Sequence, residues 1–225
     1  MTFEKQINSL TGLTLGGAGM ATTAEATQFL SDGVSEVINR IIDYKPGEIP
    51  KFCKTTHDDS DAGIVYTGQI HSVVREHDST SILRPCDLIS SDHRYLASDS
   101  ESIHFRSAYN PGFYIVGGTS AHVSKIYSIP ASASGNNDII VTQVYYDTGL
   151  AFGDDDIDNF PTEYKYLVPL YAAIKVFEQR ITKLGVIEED AEISGALVQS
   201  LTILKSEYEG AFTRMKPQAA SEGAR

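Results

Sequence analysis

The fold of this 225-residue chain is decided by the stretch Ile139-Ile140-Val141-Thr142-Gln143-Val144-Tyr145-Tyr146. Its β-branched and aromatic residues are typical of a β-strand. Apolar side chains occupy both alternating sets of positions, and such a strand is usually central in its sheet and covered on both faces. We therefore expect this segment to form the middle of a sheet.

The residues around this strand share its character. From 49 to 147, short runs of β-branched and aromatic residues alternate with Gly, Asn, Asp, Ser and Pro, as in a domain of short antiparallel strands. The sequence predicts strands at Lys51–Thr56, Gly63–Arg75, Gly112–Val116, Ala121–Ile129 and Asp138–Tyr146.

A helix is predicted before this β-rich segment. Thr22 and Glu25 form an S/T-x-x-E capping box, in which each side chain bonds to the backbone of the other at a helix N-terminus. Apolar residues follow at helical spacing from Ala26 to Ile42, although Gly33 lies among them and lowers helix propensity. The pattern ends at Lys45-Pro46-Gly47, because proline cannot continue a helix and glycine turns readily.

Two further helices are predicted after the β-rich segment. Pro161 is a favoured first helical residue, and the apolar run Tyr164–Leu184 indicates a helix that is buried on more than one side. Pro169 is expected to kink this helix and Gly185 to end it. The last helix, predicted at Glu188–Met215, has acidic residues at its start and basic residues near its end, which suits the helix dipole. Its apolar stripe consists of Ile193, Leu197, Leu201, Leu204, Tyr208, Phe212 and Met215.

The predicted fold class is α+β. Amphipathic helices at both ends pack as a small bundle, an antiparallel β-rich insert lies in the middle, and the C-terminus is an extended tail. The predicted division is a flexible N-terminal arm at 1–21, a helical domain at 22–48 and 160–215, the β-rich inserted domain at 49–147, an acidic linker at 148–159 and a C-terminal tail at 216–225.

The charge balance argues against one class of partner. The formal net charge is −12 and Lys and Arg form no cluster, whereas strong general binding to nucleic acid needs clustered cations that neutralise phosphates. An acidic surface does suit a protein that lets DNA pass without binding it. No stretch approaches the ~20 apolar residues that span a bilayer, so no membrane partner is expected.

The candidate nucleophiles and histidines are scattered along the chain. The six histidines form no helical pair and no HExxH motif, and they are predicted to be polar or loop residues and not metal ligands. The segment Gly118-Thr119-Ser120-Ala121-His122 approaches a GxSxG elbow, but its fifth position is His and it lies between two predicted strands, so we predict a hairpin loop. Cys53 and Cys86 are expected to be free thiols in a reducing compartment, with a single disulfide as the alternative.

The strongest candidate for a cation-binding site is the acidic segment Gly153-Asp154-Asp155-Asp156-Ile157-Asp158. Its alternating aspartates match the start of an EF-hand loop, but Asn159 replaces the required glycine and Lys165 the required glutamate. We interpret the segment as the solvated entry to the next helix, with a looser divalent-cation site at Asp154, Asp156 and Asp158 as the alternative. No catalytic residue, metal or cofactor is assigned.

Two longer stretches resemble a known family. The first runs through Asn110-Pro111-Gly112-Phe113-Tyr114-Ile115-Val116, Lys125-Ile126-Tyr127-Ser128-Ile129-Pro130 and Val141-Thr142-Gln143-Val144-Tyr145-Tyr146; the second is Phe160-Pro161-Thr162-Glu163-Tyr164 with Leu167-Val168-Pro169-Leu170-Tyr171-Ala172-Ala173. This order, over residues 22 to 185, resembles the head-to-tail adaptor (connector) proteins of tailed bacteriophages. In that family a P-x-x-Y strand, a strand ending in proline and a third strand precede a helix that opens with proline and acidic residues.

The resemblance implies a virion structural protein and not an enzyme. It implies a homo-oligomeric ring, a dodecamer, beneath the portal protein, with tail or nozzle proteins as further partners and a channel through which DNA passes without specific binding. It places the protein in the neck of the virion, between capsid and tail, after assembly in the host cytoplasm. By position, the tail containing Lys216, Pro217, Gln218 and Arg225 corresponds to the segment that docks on the portal.

Two alternatives remain open at the level of sequence. One is another neck or tail-completion structural protein of the same particle, which the bulk features do not separate from the adaptor. The other is a metal-dependent hydrolase that uses Asp154, Asp156 and Asp158.

Overall fold

The computed structural model describes residues 1–17, 20–77, 82–117, 123–135, 137–147, 149–184 and 191–215, and for 191–194 the backbone alone. The fold is α+β, 44% helical and 22% strand, with helices at both ends and a central sheet region. This confirms the predicted fold class. The helices are α1 (Phe3–Thr11), α2 (Thr23–Tyr44), α3 (Arg94–Ser98), α4 (Leu167–Lys183) and α5 (Ala191–Met215), and the strands are β1 (Cys53–Asp58), β2 (Ile64–Val65), β3 (Ile70–His77), β4 (Ile82–Pro85), β5 (Asp87–Leu88), β6 (Gly112–Val116), β7 (Lys125–Ile129) and β8 (Ile139–Val144).

The chain divides into two compact units. The helical unit consists of Met1–Phe52 together with the described part of Tyr146–Arg225, and the β unit consists of Cys53–Tyr145. The β unit is therefore inserted between α2 and α4 of the helical unit.

Helix α4 is the centre of the helical unit, because α1, α2 and α5 all pack against it. It buries residues around most of its circumference, among them Leu167, Val168, Ala172 and Ala173, none of which retains measurable exposure. Burial on more than one side was the expectation for this helix, since apolar residues occur around its whole circumference.

The predicted start and end of α2 are confirmed. The Thr22 hydroxyl accepts from the Glu25 backbone N–H, and the Glu25 carboxylate accepts from the Thr22 backbone N–H at 2.7 Å, so the capping box is complete. The helix ends at Tyr44, directly before Lys45 and Pro46. Gly33 lies where α2 meets α4, since a Cβ there would be 3.1 Å from Tyr171 Cδ1.

The prediction of an irregular N-terminus is wrong for Phe3–Thr11, which forms α1. Phe3 and Ile7 are fully buried. The Phe3 backbone N–H donates to the Asp154 carbonyl at 2.8 Å, so part of the exposed helix N-terminus is satisfied by a segment 150 residues away in sequence. A nine-residue helix is marginal by itself, and its stability comes from this packing.

The start predicted for the helix after the β unit is also wrong. Pro161 directly precedes a series of turns, and α4 begins at Leu167. Pro169 is therefore the third helical residue, where its missing N–H has no intrahelical acceptor to lose, and the reason for expecting a kink disappears. Gly185, the predicted stop, and Glu188, the predicted first residue of the last helix, lie outside the described residues.

The apolar stripe predicted for the last helix faces the core of the helical unit. Leu204, Tyr208 and Phe212 are buried, and Leu197, Leu201 and Met215 are partly buried. Arg40 of α2 joins this contact, because its guanidinium donates to Glu209 at 2.7 Å and lies 5.2 Å above the Phe212 ring. The side chain of Ile193 is not described.

The β unit is a sandwich of two four-stranded sheets. Sheet one has the order β1-β8-β3-β4 and is antiparallel throughout, and sheet two has the order β2-β7-β6-β5 with a parallel β5–β6 pair. The parallel pair departs from the antiparallel insert that was predicted. The core between the sheets is formed by Ile64, Val73, Phe113, Ile126, Ile139 and Val141.

The strand that decided the sequence interpretation is central, as expected, with β1 and β3 on its two sides. The expectation that both faces are covered is wrong. Ile139 and Val141 are fully buried on the core face, whereas Ile140 and Thr142 on the other face remain partly exposed. The Thr142 hydroxyl instead makes a 3.0 Å hydrogen bond to the Thr55 hydroxyl on β1.

Of the other predicted strands, one has the predicted limits and the rest have different limits. Gly112–Val116 agrees with the prediction, but Gly63–Arg75 is two strands, β2 and β3, that belong to different sheets. The chain changes sheets between them at Tyr66 to Gln69, where Gly68 has a φ of 156°. The strands Ile82–Pro85 and Asp87–Leu88 were not predicted.

Candidate subunit-interface surface

On each side of the sandwich, the edge strand of one sheet lies beside the edge strand of the other sheet. Edge strands β1 and β2 contact one another at one end. At the other end are edge strands β4 and β5, which are joined by the single residue Cys86. The two ends have different surfaces, and we call them the groove end (β1 and β2) and the apolar end (β4 and β5).

The apolar end exposes large hydrophobic side chains. Ile103 is 96% exposed, Tyr109 69% and Leu88 67%. Isolated exposed apolar residues are common on soluble proteins, but a group of them marks a contact surface. The full set is Ile82, Leu83, Leu88, Ile103, Phe105 and Tyr109.

Hydrogen bonds order the long connection that carries three of these side chains, Ile103, Phe105 and Tyr109. The Arg106 guanidinium donates to the Asp87 carboxylate at 2.7 Å and to the Asn110 side-chain oxygen at 3.1 Å. The Arg106 backbone N–H donates to the Ala97 carbonyl at 2.8 Å. These bonds tie α3 and the following turns to β5, so the exposed side chains stand on a defined surface.

A cavity of about 320 Å³ opens within the apolar end. Leu88, Ile103 and Phe105 line it together with His93 and His104, whose imidazole rings stack with centroids 5.8 Å apart and planes 16° apart. Sequence spacing gave no sign of this histidine pair, because the two residues are eleven positions apart in a connection without periodicity.

The Arg84 side chain of β4 is incompletely satisfied. Its guanidinium lies 5.2 Å above the Tyr109 ring, and Tyr109 also contacts the His77 ring at 4.4 Å. Arg84 Nε is buried and has no acceptor among the described residues. A buried N–H without an acceptor costs free energy.

The groove end contains a groove of about 390 Å³. Tyr145, Lys54 and Val65 are among its lining residues, and the Lys54 ammonium lies 4.5 Å from the Tyr145 ring centroid. Val65 is 46% exposed. The complete lining is Lys54, Thr56, His57, Asp58, Ala62, Gly63, Ile64, Val65, Thr67, Gln143 and Tyr145.

Gln143 closes the edge of β2 at this end. Its side-chain oxygen accepts from the Thr67 backbone N–H at 3.1 Å, and its side-chain N–H donates to the Val65 carbonyl at 2.7 Å. The carboxamide thus bonds to alternate residues of the edge, as a neighbouring strand would. Gln143 is only 5% exposed, so a buried polar residue of sheet one is satisfied by sheet two.

Asp58 orders the turn that follows β1. Its carboxylate accepts from Ser60 N–H at 3.0 Å, from the Ser60 hydroxyl at 2.9 Å and from Gly63 N–H at 2.7 Å. Burial raises the pKa of Asp58, but the hydrogen bonds outweigh burial and hold that pKa below its ordinary value. Gly63 has a φ of 79° and lies under the Tyr127 ring, which fixes this position as glycine.

The alternating aspartates do not converge on a common point. Asp154 accepts from the Ala151 N–H at 2.7 Å, and Asp156 forms an ion pair with Lys165. The Asp158 backbone N–H donates to the Asp147 carboxylate at 3.2 Å. Within the described parts of the chain, no group of three or more His, Cys, Asp or Glu side chains is placed to hold a metal ion.

Cys53 and Cys86 are not joined by a disulfide, so the alternative of a disulfide is wrong. Burial raises the pKa of Cys53, and burial raises the pKa of Cys86 to about 12. A thiol with a raised pKa carries little thiolate at neutral pH and is a poor nucleophile.

Two groups of predicted residues lie outside the described residues. They are the hairpin segment Gly118–His122 and the proposed docking residues Lys216, Pro217, Gln218 and Arg225.

No protein-family model matches the chain, and no curated protein matches it significantly. Among the helices that the structure describes, none has both the length and the apolar character needed to cross a membrane.

Proposed function

We propose that this chain is a virion structural protein, a ring-forming head-to-tail adaptor that joins the portal to the tail and lines the DNA channel in the neck of a tailed phage. One observation carries the self-association: the sandwich ends in two unlike surfaces, an apolar end and a groove end. Contact between unlike surfaces of identical copies is heterologous, and heterologous contacts close into rings when the rotation between copies permits.

The size of the apolar end supports a subunit interface. Its six large side chains each leave about 100 Å² exposed, on the order of 600 Å² in total. A standard interface buries about 800 Å² on each partner, and the largest apolar patch of a typical monomer, about 300–600 Å², is often functional. A surface of this size supports association more than it supports a solvent-facing role.

The order of the elements supports the adaptor role within the particle. Strands β6, β7 and β8 precede the apolar helix α4, which is the order by which the sequence resembles head-to-tail adaptors, although α4 begins at Leu167 and not at Pro161. The net charge of −12 suits a channel wall, because like charges repel DNA phosphates. In this proposal the ring assembles in the host cytoplasm and contacts tail or nozzle proteins on its other side.

The experiment is mass photometry of the full chain, alone and with the portal protein of the same phage. We expect discrete ring-sized particles, with the portal or at raised protein concentration, and joint particles that negative-stain images show as stacked rings. A chain that stays monomeric under both conditions contradicts the proposal. Rings that form but never join the portal favour another neck or tail-completion role, and truncation after Met215 tests whether the tail makes the contact.

A further inference from the structure

We propose that neighbouring copies are joined by strand addition, with β4 of one copy pairing with β1 of the next, so that sheet one continues from subunit to subunit. This inference rests on the proposed ring and deepens it, because it names the backbone contact between copies. The occupant of each open edge is a second copy of this chain.

Both edges of sheet one offer unpaired backbone groups. On β4, the Cys86 N–H donates to the Val73 carbonyl, and bonding alternates along an antiparallel pair, so the N–H and C=O of Leu83 point away from β3. On β1, the same alternation leaves the N–H and C=O of Thr55 and His57 pointing outward. The Glu76 N–H donates to the Asp138 carbonyl, so every second residue from Asp138 along β8 bonds to β3. The residues of β8 between them bond to β1, and their partners on β1 alternate with Thr55 and His57.

The strand count makes the two edges compatible. Sheet one has four strands, all antiparallel to their neighbours, so β4 of one copy and β1 of a copy in the same orientation also run antiparallel. The outward-bonding residues Leu83, Thr55 and His57 all have their side chains on the sheet face opposite the core. The joined sheet therefore keeps its core face on one side through every copy.

The edges of sheet two are unsuited to the same contact. Gln143 already occupies the backbone groups of Val65 and Thr67 beside β2. Strand β5 is only two residues long and pairs with β6 in parallel. Sheet one thus supplies the strand contact, and the apolar side chains around β4 and β5 supply its buried area.

Charge selects the register of the pairing. If Leu83 lay opposite Thr55 of the next copy, Arg84 would lie opposite Lys54, and like charges directly across a strand pair are unfavourable. If Leu83 lies opposite His57 instead, Arg84 faces the neutral Thr56. The second register also brings Pro85, which lacks an N–H, opposite Thr55 at the end of the pair, where one lost bond is tolerated.

Disulfide trapping tests this contact in the full chain. The double variant Leu83→Cys with His57→Cys is assembled, oxidised and run on a non-reducing gel. Within one copy the two positions are three strand spacings apart, about 14 Å, so a bond between them can form only between copies. We expect a ladder of covalent multimers up to the size of the ring.

The matched control is Leu83→Cys with Thr142→Cys, which places the second thiol on the same sheet face but one strand further in. This pair is expected to give no ladder, and each single variant controls for the native thiols. Rings that assemble by mass photometry but give no ladder with His57→Cys or Thr55→Cys overturn the strand pairing and leave the adaptor proposal intact. Absence of any ring overturns both.

A second variant keeps the inference testable if the thiols impair folding. His57→Pro removes one outward N–H, whereas His57→Thr keeps it. With equal thermal unfolding midpoints, we expect at least tenfold weaker assembly for the proline variant only. Equal assembly of the two variants contradicts the pairing.

Discussion

At the scale of single residues, the ionisation of Asp58 contributes to the stability of the β unit. Its pKa is held below the ordinary value, so its contribution is fully present above about pH 4, the unfolded-state pKa, and is lost as pH falls through the folded-state pKa. We expect Asp58→Asn to lower stability at neutral pH and to flatten the acid limb of the unfolding free energy. The exposed neighbour Asp59→Asn is the control, and denaturant titrations from about pH 6 to pH 2 are the measurement.

Gln143 gives a second prediction at this scale. Gln143→Leu removes both hydrogen bonds to the edge of β2 and leaves the Thr67 N–H and the Val65 carbonyl without their partner. We expect a loss of about 1–3 kcal/mol in the free energy of unfolding. Gln69→Leu makes the same change at an exposed position and is expected to change stability by less than about 0.5 kcal/mol. Equal losses would show that the bridge contributes nothing.

Residue-scale features were predictable from sequence where their partners are local. The capping box of Thr22 and Glu25 spans three positions and was assigned correctly. The role of Gln143 was not predictable, because its partners lie 76 and 78 residues earlier in another sheet. The stacking of His93 on His104 was not predictable for the same reason, since only the folded connection brings the two rings together.

At the scale of elements, the contact between α2 and α4 depends on Gly33. Replacing glycine by alanine in a helix normally stabilises by about 0.5–1 kcal/mol. At Gly33 the added Cβ would lie 3.1 Å from Tyr171 and 3.2 Å from the Val168 carbonyl, so these neighbours on α4 must shift by a few tenths of an ångström. We expect Gly33→Ala to lower the thermal midpoint and Gly210→Ala, with open space around it in α5, to raise it.

A shared gain in both variants would contradict the packing described for Gly33, since helix propensity alone would then decide the result. Circular dichroism melts of the two proteins and the unmodified chain give the comparison.

The predicted limits of helices and strands are wrong where tertiary contacts override the local sequence pattern. The helix Phe3–Thr11 lacks a long periodic run, and it forms because Phe3 and Ile7 are buried against the rest of the helical unit. The run Gly63–Arg75 is continuous in β-propensity, yet a turn divides it between two sheets. Propensity does not report which sheet a strand joins.

At the scale of the whole molecule, the helix–β–helix order was predictable and the candidate site was not. The order follows from periodicity, turn residues and capping signals, which are all local. The apolar end combines β4, β5 and the connection to β6, and the sequence predicts no strand at β4 or β5. Its exposed side chains are ordinary apolar residues in sequence, and only their exposure in the fold marks them as a surface.

The central claim, that the apolar end joins copies into a ring, is tested most directly at Ile103. This side chain is 96% exposed, so Ile103→Asp should leave folding stability within about 0.5 kcal/mol while placing a charge in the interface. Ile203→Asp makes the same change on α5, where Ile203 is 61% exposed, and serves as the matched control.

The measurement is the mass distribution of both variants under conditions in which the unmodified chain forms rings. We predict that Ile103→Asp stays monomeric and that Ile203→Asp assembles as the unmodified chain does. Full assembly of the Ile103→Asp variant would contradict the account.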